Sequence, residues 1–64
     1  MNTKKATEIW EYINEHQDQT HVEIAEALGI TEACAQHCSI MWASKPRGEF
    51  IFWLQKQEIC QPQT

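Results

Sequence analysis

The sequence predicts a mostly α domain: three helices followed by a short C-terminal β strand or hairpin. Three observations predict it. Apolar residues recur at helical spacing near the start of the chain. Two capping threonines, Thr20 and Thr31, bracket an apolar segment that closes on Gly29. A run of aromatic and β-branched residues, "EFIFWLQ", follows a Pro/Gly break at positions 46–48.

Residues 3–17 carry the first helix. Ala6, Ile9, Trp10 and Ile13 follow the i, i+3, i+4, i+7 spacing of a one-sided helix, and Glu8, Glu11 and Glu15 lie on its solvated side. "THVE" (Thr20 to Glu23) is a capping box: the threonine hydroxyl accepts from the Glu23 amide while the Glu23 carboxylate reaches back to the Thr20 amide. Val22, Ile24, Ala25 and Leu28 supply the apolar positions of the second helix. Gly29 ends it, because glycine enters the left-handed conformation at little cost. Ile30 plugs the turn, Thr31 caps the third helix, and that helix runs from about Glu32 to about Trp42 with Ala35, Cys38 and Met41 or Trp42 inward. Pro46 and Gly48 make a break. In the strand that follows, Phe50, Phe52 and Leu54 share one face, and Ile51 and Trp53 the other. A fourth short helix is the alternative, since the run is apolar throughout and periodicity does not decide. Trp42, Trp53 and Phe52 are assigned to the core. Residues 1–57 form a single domain, and 58–64 read as a frayed tail.

Composition narrows the function classes. The chain has 64 residues and a net charge of −4, with 5 basic and 9 acidic residues. Seven acids fall from Glu8 to Glu32, and no Lys or Arg stands between Ala6 and Ser44. Such a balance weighs against a protein held on nucleic acid by charge alone. Three cysteines, with no apolar run behind Lys4 and Lys5 and no stretch approaching the ~20 apolar residues of a membrane span, predict a cytoplasmic protein with reduced thiols and no membrane contact. No glycine-rich phosphate loop or nucleophile motif is present, and the histidines at 16, 21 and 37 are scattered, so no enzyme and no cofactor are expected. Cys34, His37 and Cys38 sit one turn apart. Three ligands on one helix do not match zinc spacings, which draw on separate segments, and Cys60 would have to swing in.

The central motif is a helix-turn-helix. Ala25 is small where two helices cross, Gly29 makes the turn four residues later, and Ile24, Leu28, Ile30, Ala35 and Cys38 fill the buried positions around them. A helix before it and an apolar strand after "KPRG" extend it to a reduced winged helix, whose second motif helix enters the major groove. The sequence resembles the small fimbrial-operon regulators of the PapI and FaeA type. The likeness rests on "EIAEALGIT" (Glu23 to Thr31), on Ala35 and His37, and on "SKPRGEFIFWLQK" (Ser44 to Lys56), with Arg47 and Gly48 followed by Trp53. It spans about residues 9–56. It implies a winged-helix transcriptional regulator of a bacterial adhesin operon, acting with the leucine-responsive regulatory protein at methylation-controlled promoter sites.

On that resemblance the reading positions are Glu32, Ala33, Gln36 and His37, and the wing positions are Lys45 and Arg47. The chain departs from the family twice. Gln36 stands where a basic residue is usual, and the stretch between Thr31 and Gly48 is several residues shorter, which reduces the wing to one strand or a stub. The chemistry of the side chains agrees with these roles. Gln36 can pair bidentately with adenine, and Glu32 can accept from the cytosine amino group. Thr31, Lys45 and Arg47 are the candidate phosphate contacts. The expected function is therefore weak binding of double-stranded DNA by a monomer or weak dimer, strengthened by a DNA-bound partner. A protein-interaction module that keeps the fold without reading DNA is the alternative.

Overall fold

The computed structural model describes residues 2–57 and Cys60. Its elements are α1 (Thr3–Glu15), α2 (His21–Leu28), α3 (Glu32–Ser44) and α4 (Arg47–Gln55). Each of the first three begins on a side-chain cap. Asn2 Oδ1 accepts from the Lys5 amide at 2.8 Å, Thr20 Oγ1 from the Glu23 amide at 3.3 Å, and Thr31 Oγ1 from the Cys34 amide at 3.1 Å. The Thr20 amide in turn donates to Glu23 Oε1 at 3.0 Å, which completes the expected capping box.

Gly29 closes α2 at φ 67° and ψ 34°, the left-handed region that side chains resist. The Ile30 amide then donates to the Ala25 carbonyl at 3.0 Å, which turns the chain sharply into α3. Ala25 is almost sealed from water, as expected of a small residue at a helix crossing. Helices α2 and α3 and the glycine turn between them thus form where the sequence predicts them.

The C-terminal strand does not form. Residues 47–55 are a helix, and among the described residues there is no strand and so no wing. The cause lies in backbone hydrogen bonding. A lone strand needs a partner for its amides and carbonyls, whereas a helix satisfies its own. The core then selects the helical face: Phe50, Ile51 and Leu54 are buried, at i, i+1 and i+4. Phe52, which the strand would have turned inward with Phe50, is 62% exposed. Trp42 and Trp53 are only partly buried against the core.

Two contacts set how α1 lies on α4. Thr3 Oγ1 donates to Gln55 Oε1 at 3.2 Å, and the Arg47 guanidinium stands 5.4 Å from the centre of the Trp10 ring. The start of α1 thus meets the end of α4, and the two helices run antiparallel. The core between the helices is built from Ala6, Ile9 and Ile13, from Ile24 and Ala25, from Cys34, Ala35 and Cys38, and from Phe50, Ile51 and Leu54.

Cys60 corrects a further expectation. It lies buried beyond α4 and forms a disulfide with Cys34, across 26 residues of chain. The cysteines are therefore not three reduced thiols. The tail expected to be frayed contributes this residue to the core, and its remaining positions, 58–59 and 61–64, lie outside the described residues.

The helical face of α4 makes a sharp stability prediction. Phe50→Ala should cost roughly 3–5 kcal/mol, and in so small a domain that is enough to unfold most of the population. Phe52→Ala should stay within about 0.5 kcal/mol, since it lies outside the core. Urea denaturation followed by Trp fluorescence measures both. Equal losses at the two positions would place them on one face, as a strand requires.

The candidate interface on the third helix

Helix α3 has two distinct sides. Cys34, Ala35 and Cys38 face the core, while Glu32, Ala33, Gln36, His37 and Ile40 are exposed. This division follows from spacing: positions 34, 35 and 38 share one stripe, and 32, 33, 36, 37 and 40 lie around the other side. Among the described residues, no side chain hydrogen-bonds or ion-pairs with Glu32, Gln36 or His37. The four positions expected to read bases are therefore brought together on one accessible surface. It holds one negative charge, two hydrogen-bonding side chains and no positive charge.

The three expected phosphate contacts are not brought together. Thr31 caps the start of α3, and Lys45 follows its last residue. Thirteen residues separate the two ends, a rise of about 20 Å at 1.5 Å per residue. Thr31 already accepts from the Cys34 amide. Arg47 stays exposed but rests on Trp10 as a cation–π contact. Lys45 lines an open groove with Gly48, Glu49, Phe52 and Lys56, and the Lys56 ammonium lies 4.2 Å from the centre of the Phe52 ring. Lys45 and Lys56 therefore share one groove along α4, while Arg47 at the start of α4 is turned onto Trp10. Lys56 belongs to this group although it stands eleven positions after Lys45 in the chain, and only the helical form of α4 brings the two to one groove.

Of the two N-terminal lysines, Lys5 has a structural task. Its ammonium donates to the Leu28 carbonyl at 2.9 Å. That carbonyl belongs to the last turn of α2, where orphan acceptors and the negative end of the helix dipole favour a cation. Lys5 thus pins the start of α1 to the end of α2.

Behind the exposed face lies a sulfur cluster. Cys38 Sγ is 3.8 Å from Cys34 Sγ, and the sulfurs of Cys34, Cys38 and Cys60 all lie within 4.8 Å of one another. Burial pushes the Cys38 thiol up from 9.0 to about 12, because a thiolate there would be stripped of water. His37, which the sequence places one turn from Cys34, is exposed and stands apart from the sulfurs. Cys60 could not be found by local spacing, since only the return of the chain past α4 brings it in.

The chain matches no protein-family model, no curated protein and no solved structure.

Two outcomes follow from this geometry. Lys5→Ala should lower stability by about 1 kcal/mol, the scale of a charge-assisted bond at a helix end, while Lys4→Ala should stay within about 0.5 kcal/mol; chemical denaturation of the two variants compares them. Cys38 should resist maleimide in the native chain at neutral pH and label fully once unfolded, read by mass spectrometry. The sign of its pH effect is also set. The unfolded thiol loses its proton near 9.0 and the folded one near 12, so the stability contributed by the buried neutral thiol is present below 9.0 and is lost as pH rises toward 12.

Proposed function

We propose that this chain is a helix-turn-helix transcriptional regulator that lays α3 in the major groove of promoter DNA. On this proposal it binds weakly alone and more firmly beside a DNA-bound partner, in the manner of the fimbrial-operon regulators it resembles. The observation that supports it best is the outer face of α3. Gln36 and His37 stand on the exposed side of α3, behind a tight glycine turn, and among the described residues their side chains bond to nothing. The Gln36 amide has the donor–acceptor pair that adenine N7 and N6 require.

The charge distribution supports the dependence on a partner. Phosphate neutralisation supplies most of the affinity of a DNA-binding protein. Here Lys5 is engaged with Leu28, Arg47 rests on Trp10, and Lys45 and Lys56 line one groove along α4. Only those three cations and Lys4 remain to meet phosphates. A few contacts on a chain of net charge −4 give loose attachment. The loss of the expected wing removes a second point of attachment and pushes the reading the same way. A cytoplasmic location follows from the proposed role, and in that reducing compartment Cys34 and Cys60 would stand as two thiols.

A second reading has one specific observation in its favour. Ile40, on the outer side of α3, is 53% exposed, and Phe52 is 62% exposed. Exposed apolar side chains on an acidic domain also suit a protein-interaction module that has kept the fold without DNA.

Amide NMR of the labelled chain, titrated with a short duplex at low and then higher salt, distinguishes the two. The regulator reading expects shifts confined to residues 31–37 and 45–48 and reversed by salt, with Arg47→Ala weakening binding and Gln36→Ala changing sequence preference by roughly 1–3 kcal/mol. An unchanged spectrum at low salt sinks DNA reading and leaves the interaction module.

A further inference from the structure

We infer that the reduced chain binds one Cu(I) ion through the thiolates of Cys34, Cys38 and Cys60. The argument rests on where the three sulfurs stand, and it is independent of whether α3 reads DNA. Cys34 and Cys38 lie one helical turn apart on the inner side of α3, which points both sulfurs the same way. The chain returns past α4 to set Cys60 beside them. Metal–sulfur bonds of about 2.3 Å place the sulfurs of a trigonal site about 4 Å apart. The Cys34–Cys38 separation is 3.8 Å, and no pair exceeds 4.8 Å. Two of the three distances are thus already close to those of a metal-bound trio, and only the Cys34–Cys60 pair has to part.

The donor set and its surroundings select the ion. Thiolates favour soft metals, Cu(I) and Zn²⁺ among them. Zinc takes four ligands in structural sites and keeps a water in open ones. Here Cys34 and Cys38 are fully buried, Cys60 is 6% exposed, and among the described residues no further His, Cys, Asp or Glu joins the three sulfurs. A dry site with three sulfur donors suits Cu(I), which accepts trigonal coordination and needs no water.

The chemistry balances as follows. A small-molecule phosphine supplies two electrons to the Cys34–Cys60 bond and leaves as its oxide, taking oxygen from one water whose two protons convert the sulfurs to two thiols. Three Cu–S bonds then form as three S–H bonds break, and the three protons leave to solvent. Copper stays Cu(I) throughout.

The experiment is an anaerobic titration of the full chain, reduced with a phosphine, with Cu(I) held by a chromophoric chelator. The chain is expected to withdraw one equivalent, with near-ultraviolet thiolate-to-copper absorption. Cys60→Ser and Cys38→Ser should each lower affinity by more than about 100-fold, beyond what loss of an outer-shell partner costs. Circular dichroism checks that each variant remains helical. X-ray absorption of the wild-type complex counts sulfurs without any variant, and three are expected. Failure to take copper from the chelator overturns the proposal. So does a count of two sulfurs, or a folded Cys38→Ser chain that binds as the wild type does.

Discussion

Once Phe50, Ile51 and Leu54 are buried, the backbone that carries them must bond within the protein, and the described residues offer no second strand to pair with it. A helix is the structure that closes those bonds from within. The rest of the architecture depends on that requirement. As a helix, α4 turns Phe50, Ile51 and Leu54 to one side and so caps the apolar stripe of α1. Phe50 is the bulkiest of the fully buried side chains, and it sits at the centre of this closure. The same turn of α4 throws Phe52 into solvent and gathers Lys45 and Lys56 into one groove. A strand at this position would have left α1 half covered and the cations spread.

The core that results is thin, as it must be in a chain of this length. It is held less by bulk than by linking contacts at the helix ends. Lys5 reaches the end of α2, Thr3 reaches the end of α4, and Arg47 rests on Trp10. Tyr12 donates to Gln19 Oε1 at 2.7 Å and stacks on His16 at 4.0 Å, which fixes the connection between α1 and α2. The disulfide from Cys34 adds a long-range tie, and closing a loop of this size restricts the unfolded chain. Most of these ties converge on α1, and the disulfide alone reaches α3.

What could be read from the sequence divides along the range of the interactions. The capping box at Thr20 and Glu23, the left-handed Gly29 and the cap at Thr31 are fixed by residues within four positions of one another, and they form as their chemistry dictates. The two sides of α3 follow from helical spacing alone. The last element was ambiguous because every residue from Phe50 to Leu54 is apolar, so period two and period 3.6 both fit. Two signals favoured the helix: no partner strand existed for the run, and Pro46 stands at the N-cap, just before the first helical turn, where its missing amide costs nothing. The tasks of Lys5 and Cys60 were not legible, because each meets a partner more than twenty positions away. The outer face of α3 was legible as a surface, while its use depends on a partner molecule that intramolecular physics does not encode.

Helix α3 keeps its two duties on separate sides. The inner side is locked by packing and sulfur contacts, and the outer side carries Glu32, Ala33, Gln36 and His37, whose side chains bond to no other described residue. Substitutions on the outer side therefore meet little thermodynamic resistance. Those four residues can be exchanged with little effect on stability, while any change at Cys34, Ala35 or Cys38 is tested first against survival of the fold. The scaffold is in that sense evolvable on one side and conservative on the other.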